Sequence, residues 1–188
     1  MKTTEEYKDI VLNQLPGKQT IREFVRKLHG KQKDRAGQPY YQHPYRVSMR
    51  SLVETEKYFK IYESQGGKFI PYEKAYIDEM VYHLSLCHDL YEDTEVKDED
   101  LKKLGYSDEF LFILKEYLTH PSNIPYDSYI NHISQDLLAS LVKMADLVDN
   151  LDLSRLEGKK LKDKDFERIQ RYLDSYHYLF KNLEYLSL

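Results

Sequence analysis

The chain has 188 residues, of which 41% are hydrophobic and 32% charged, with a net charge of −4 and a pI near 6.0. That is enough chain for one domain with a real core, and the single Cys87 excludes a disulfide framework and fits a reducing compartment, the cytoplasm. No apolar run reaches membrane-spanning length, MKTTEEYKDI lacks the features of a signal peptide, and no densely basic stretch supports binding to nucleic acid.

Seven glycines and six prolines are few for this length, and they punctuate long stretches of helical periodicity. Residues 4–15 carry Tyr7, Ile10, Val11 and Leu15 at three-to-four spacing and stop at Pro16-Gly17. Thr20, with Glu23 three residues on, predicts a capping-box start for a helix bearing Ile21, Phe24, Val25 and Leu28. After the polar loop 33–38, residues 41–63 resume helical spacing with Tyr45, Met49, Leu52, Val53 and Phe59, until Gln65-Gly66-Gly67 breaks them. Residues 72–91 form the most apolar helix, with Tyr76, Ile77, Met80, Val81, Leu84, Leu86 and Cys87. Shorter helices are predicted over 98–104, 108–119 and 126–133, and longer ones over 136–153 and 163–186. The last carries Phe166, Ile169, Tyr172, Leu173, Tyr176, Leu179, Phe180 and Leu183. No segment alternates as a strand does. The expectation is an all-α bundle of eight or nine helices around one core, a single domain over 1–188.

The chemistry concentrates in HDLYEDT, residues 88–94, which closes the apolar helix 72–91. His88 and Glu92 are four apart, as are Asp89 and Asp93, so a continuous helix places an imidazole and three carboxylates on adjoining stripes. Negative charge at the end of a buried helix is costly unless a cation compensates it, and a divalent metal is the obvious candidate. A His-Asp pair alone is a weak signal; His-Asp with Glu at +4 and Asp at +5 is a stronger one. His43, in PYYQHPYRV, and Asp146, in LVKMADLVDNLDL, are candidate third and fourth ligands. The bland alternatives are a helix-start histidine and an acid salt-bridged to a Lys or Arg. Two His and two Asp suit Mn²⁺, Fe²⁺ or Zn²⁺ better than Ca²⁺, and such an ion supplies hydroxide near neutral pH.

His43, then His88-Asp89, then Asp146 resembles the signature of the HD-domain metal-dependent phosphohydrolases. AGQPYYQHPYRV (36–47), HDLYEDT (88–94), the Leu-Thr at 118–119 and LVKMADLVDNLDLSRL (141–156) are similar to one branch, the RelA/SpoT-type alarmone hydrolases and their small single-domain relatives. The resemblance covers a motif-bearing core of about 20–160, with the helix 163–186 beyond it. It implies an HD-type fold with one bound metal, usually Mn²⁺, with Fe²⁺, Zn²⁺ or Mg²⁺ as alternatives. It further implies His43, His88, Asp89 and Asp146 as ligands, Glu92 and Asp93 as the acidic pair that orients water and handles protons, and Asn150 as a nucleotide contact. The implied reaction removes pyrophosphate from the 3′ position of (p)ppGpp.

The chain departs from that branch at positions expected to face substrate. The Arg that stacks on the base has no clear counterpart in Lys33-Asp34-Arg35-Ala36-Gly37-Gln38-Pro39. Leu147, Val148 and Asp149 stand where the branch often has Arg and then His before the Asn. Arg35, Lys143 and Asn150 are the candidate substrate-binding residues, with Lys33 as a further phosphate contact or a surface charge. Tyr126 and Tyr129 read as packing residues, His29 as a candidate behind the ligands, and Cys87 as a buried small side chain. The expected partner is a small nucleotide, with a homodimer through apolar helix faces allowed. Action on another nucleotide, or nucleotide sensing with little turnover, are the rival functions.

Overall fold

The computed structural model describes residues 13–156 and 160–186. The helix expected over 4–15 lies outside them except at its end, where 13–14 are helical. The described helices are α1 (Lys18–His29), α2 (Gln42–Ser64), α3 (Pro71–Cys87), α4 (Leu90–Asp93), α5 (Asp98–Lys103), α6 (Asp108–Glu116), α7 (Tyr126–Ile133), α8 (Leu137–Leu151) and α9 (Asp163–Asn182). Short 3-10 turns at Leu153–Leu156 and Leu183–Tyr185 complete them. Among the described residues the only extended pairing is one isolated bridge between Lys33 and Pro39, so the chain is all-α.

α3 is the central helix. Every residue from Met80 to Cys87 is buried, so its last two turns have no solvent face. Such a helix needs neighbours on all sides. α2 packs along one flank and α8 along another, and α8 also contacts α2 and α9. Pro71 sits in the first turn of α3, where its missing N–H costs nothing, and the Glu73 carboxylate accepts the Ile70 N–H at 3.1 Å. Asp136 caps α8 by accepting the Ala139 N–H at 2.8 Å. That start sets the register that brings Lys143, Asp146, Asp149 and Asn150 onto adjoining stripes of α8.

Two expectations are corrected here. α1 begins at Lys18 after Gly17 with no side-chain cap, so Thr20 lies inside the helix and Glu23 instead accepts from Gln19 at 2.6 Å. On α2, Met49 and Val53 are exposed, and the buried face runs through Val47, Ser48, Ser51, Glu54, Thr55, Tyr58 and Phe59. The small hydroxyl residues fit there because each satisfies itself on its own helix. Ser48 donates to the Tyr45 carbonyl at 2.9 Å, Ser51 to Ser48 at 3.0 Å and Thr55 to Ser51 at 2.9 Å.

His83 is buried in α3, with Nδ1 2.8 Å from the Tyr106 hydroxyl. Burial holds its pKa down at about 4, against an ordinary 6.5. The unfolded chain therefore takes up this proton at a higher pH than the folded one. The stability His83 contributes is complete above pH 6.5, drains away as the pH falls toward 4, and changes no further below that. The full swing is about 3 kcal/mol. Urea unfolding at pH 7 and pH 4 should show a smaller loss for His83→Gln than for the wild type; parallel losses in the two proteins would contradict the assignment.

Candidate metal centre

Three elements deliver the cluster. His43 enters from the first turn of α2, where Pro44 is tolerated. The segment before it is a tight turn: Asp34 N–H reaches the Gln38 carbonyl and Tyr40 N–H the Gln32 carbonyl, both at 2.9 Å, and Gly37 turns at φ +83°. His88 caps the C-terminus of α3, and Asp146 sits mid-way along α8. His43, His88 and Asp146 are all buried, and each offers one donor atom within 4.8 Å of the others. His43 Nε2 lies 3.2 Å and His88 Nε2 3.7 Å from Asp146 Oδ1. Asp89 flanks the trio, with Oδ1 3.1 Å from His88 Nε2 and Oδ2 3.5 Å from His43 Nε2. All four ligand candidates thus converge from three distant stretches of chain.

The imidazoles are turned for metal binding. His88 Nδ1 lies 2.8 Å from the Ser85 carbonyl and His43 Nδ1 2.8 Å from Asp149 Oδ2. A carbonyl and a carboxylate only accept, so both Nδ1 atoms carry hydrogen and both Nε2 atoms face the cluster. His88 Nε2 is buried with no hydrogen-bond partner. Donors bound to one ion at about 2.1 Å stand about 3 Å apart when at right angles, so the observed spacings and the N,N,O donor set fit a divalent ion.

The electrostatics agree. Burial works to lower the pKa of His43, but the carboxylates of Asp146, Asp149 and Asp89 overcome it and push the value up to about 10. Burial opposes ionisation of Asp146, yet Lys143 and the two imidazoles hold its pKa well below the carboxylate range. Protein groups alone thus leave a pocket that draws positive charge to itself. Lys143 is the salt-bridge partner an acid on an apolar helix needs, at 2.8 Å from Asp146 Oδ2, while Oδ1 stays toward the imidazoles.

HDLYEDT does not continue α3. The helix ends at Cys87, the chain turns through His88-Asp89, and a single turn of helix resumes at Leu90. The Asp93 N–H still reaches the Asp89 carbonyl at 2.9 Å. Glu92 and Asp93 are exposed and do not line the cavity. Glu92 Oε1 accepts the His120 N–H at 2.8 Å, and partial desolvation raises its pKa.

A cavity of about 340 Å³ opens from the cluster, past Tyr40, His43, Asp89 and Asp146. Lys33, Arg35, Arg155 and Arg168 bring cations to its wall, Asp34 and Asp152 bring carboxylates, and Tyr172 supplies a ring. Arg35 reaches the wall with its guanidinium 2.6 Å from Asp165. Asn150 lines the cavity and donates to Asp146 Oδ1 at 2.6 Å, whereas Lys143 is not part of the wall. A larger groove of about 990 Å³ runs between α7 and α9 beside Ile130, Phe166 and Tyr178, but no histidine lines it and it shares no residue with the cluster.

Several site residues went unread in the sequence. The Tyr40 hydroxyl donates to Asp89 Oδ2 at 2.6 Å, and the His29 ring packs against Tyr40 with centroids 4.9 Å apart. Arg168 and Tyr172, four apart on α9, face the cavity together. Asp149, a departure expected to face substrate, lies outside the cavity wall and behind His43.

No family model matches the chain, and no curated protein matches it. It is similar to a solved structure of a metazoan ortholog of SpoT, a protein described as hydrolysing ppGpp and playing a role in starvation responses. The TM-score is 0.58 at 21% identity, with 88% of each chain covered. The fold is HD-domain-like. Within it, the buried His/His/Asp cluster is consistent with the catalytic site of a hydrolase. No helix among the described residues is long and apolar enough to cross a membrane.

Proposed function

We propose that the chain is a metal-dependent phosphohydrolase that removes pyrophosphate from the 3′ position of a guanosine polyphosphate of the (p)ppGpp type. The observation that carries this reading is a buried His/His/Asp cage flanked by Asp89, with both Nε2 atoms turned into it, opening directly on a wall that carries four cationic side chains. One divalent ion, Mn²⁺ in the first instance, fits His43, His88, Asp89 and Asp146. Held there, it supplies a Lewis acid that acidifies water and withdraws charge from a phosphoryl group.

The chain's own residues do the rest. Lys33 and Arg168 on the cavity wall hold phosphate oxygens, with Arg35 beside them, and Tyr172 offers its ring to the base. Asn150 steadies Asp146 and meets the sugar, and Lys143 keeps Asp146 ionised from behind. Glu92, with its raised pKa, takes a proton from the attacking water, and Asp93 supports it. Gln32 fixes that corner by donating to the Asp93 carbonyl at 2.6 Å. Water adds to the 3′-linked phosphorus as its bond to the 3′ oxygen breaks, the proton taken up by Glu92 goes to that oxygen, and GDP or GTP leaves with pyrophosphate.

Asp34 and Asp152 in the same wall favour a second reading, in which a less heavily charged nucleotide is the substrate and the chain acts as a nucleotidase or a 2′/3′-phosphatase. Chromatography of products formed with Mn²⁺ from ppGpp, pppGpp, their adenosine analogues, nucleoside monophosphates and 2′- and 3′-phosphates separates the two. Pyrophosphate plus GDP from ppGpp is the expected result. Phosphate release from the other nucleotides alone would move the assignment to the second reading. Calorimetric binding with no product from any compound would make the chain a nucleotide sensor.

A further inference from the structure

Asp149 is a fully buried carboxylate on α8 to which the scheme above gives no task. Its Oδ2 is 2.8 Å from His43 Nδ1, on the side of the ring away from the cluster. Three arginines surround it. Arg46 grips it with a fork, Nε to Oδ1 at 2.8 Å and a terminal nitrogen to Oδ2 at 3.0 Å. Arg50 Nε reaches Oδ1 at 3.1 Å, and Arg155 stands 3.5 Å from Oδ2. Arg50 and Arg155 have other acceptors as well, Asp152 at 2.8 Å and Asp34 at 3.0 Å, so neither depends on Asp149 alone for a partner.

We infer that Asp149 is a positioning residue of the metal centre: it accepts the Nδ1 hydrogen of His43, holds Nε2 turned toward Asp146, and makes that nitrogen a stronger donor to a divalent ion. The inference rests on the reading of the cluster as a metal centre. A carboxylate behind a ligating imidazole fixes its tautomer and raises its basicity. The arginines keep Asp149 an anion, so the contact is charge-assisted. His88 has no such support, because its Nδ1 acceptor is the neutral Ser85 carbonyl. The two imidazoles are therefore unequal ligands, and His43 is the stronger.

The test is calorimetric titration of Mn²⁺ into metal-stripped wild type, Asp149→Asn, Arg50→Gln and Glu54→Gln. Asp149→Asn keeps the shape of the side chain and removes its charge. It should weaken Mn²⁺ binding by about 10- to 100-fold. Arg50→Gln leaves the contact with His43 and the Arg46 fork in place. Glu54→Gln loosens the pair of a buried carboxylate with the partly exposed Lys57, 2.8 Å long and without contact to the cluster. Both should bind Mn²⁺ as the wild type does. Asp149→Asn binding as tightly as the wild type, or Arg50→Gln losing as much as Asp149→Asn, would overturn the positioning role while the metal centre stands. No binding by the wild type would remove the metal centre itself, and the role with it. If Asp149→Asn does not fold, nitrogen-edited NMR of the Zn²⁺-loaded wild type decides: a slowly exchanging His43 Nδ1 proton, further downfield than that of His88, is expected, and its absence refutes the role.

Discussion

Asp89→Ala is expected to abolish divalent-ion binding and hydrolysis together while leaving the protein folded. Asp89 is the ligand candidate that can be removed most cleanly. Its side chain is 18% exposed, against 7% for Asp146, and its contacts are the two imidazoles and the Tyr40 hydroxyl. Asp146→Ala, by contrast, strands the Lys143 ammonium, which lies 2.8 Å from Asp146 in a mostly buried position. An unpaired buried charge costs about 3–5 kcal/mol, so that variant confounds folding with chemistry. Removing Asp89 takes one carboxylate from the cage and leaves His43, His88 and Asp146 in place. Mn²⁺ affinity should fall by more than about 100-fold, the upper end of what losing a supporting partner costs. Metal analysis after gel filtration, a melting curve and turnover of the best substrate check the three expectations separately. Retained metal with lost turnover would make Asp89 a substrate or proton contact instead of a ligand.

Much of this was legible in the sequence, and the gaps have physical causes. Periodicity located α3 because a helix buried on every side must be apolar throughout, as Met80 to Cys87 are nearly throughout. It misplaced the inner face of α2 because Met49 and Val53 look like core, whereas Ser48, Ser51 and Thr55 are small enough to sit against α3 and α8 and bond their own backbone. Spacing alone made HDLYEDT one helical stripe. The break after Cys87 depends on how the end of a packed helix is received, and no short window of sequence contains that. The four ligand candidates were readable because imidazole and carboxylate side chains are chemically specific and stand in strings that resemble a known metal-binding signature. Asp149 was visible only as a mismatch. Its meaning depends on Arg46, Arg50 and His43 on another helix, and pairings between helices are set by packing. Arg168 and Tyr172 were hidden in the same way: on α9 they read as an ordinary charge and an ordinary core ring, and only the position of that helix over the cavity gives them a role.

Glu92→Gln should do the reverse of Asp89→Ala, sparing the metal and removing the rate. Glu92 stands outside the trio of close donor atoms and outside the cavity wall, so it adds nothing to the cage that a glutamine would remove. A glutamine oxygen can still accept the His120 N–H that Glu92 Oε1 accepts at 2.8 Å, which keeps the corner between α4 and the segment after α6 in place. The lost property is the ability to take up a proton. Desolvation raises the Glu92 pKa, the His120 N–H partly opposes this, and the Asp89 charge adds to the rise. A carboxylate with a raised pKa is a better proton acceptor than an ordinary surface glutamate, and losing such a group typically costs about 10²- to 10⁴-fold in rate. The loss should fall on kcat, with KM and Mn²⁺ affinity close to wild type, because the side chain is asked to act only while the proton moves. Steady-state kinetics beside a Mn²⁺ titration read both quantities. An unchanged kcat would show that the turn after Asp89 carries Glu92 too far from the reacting water to take its proton.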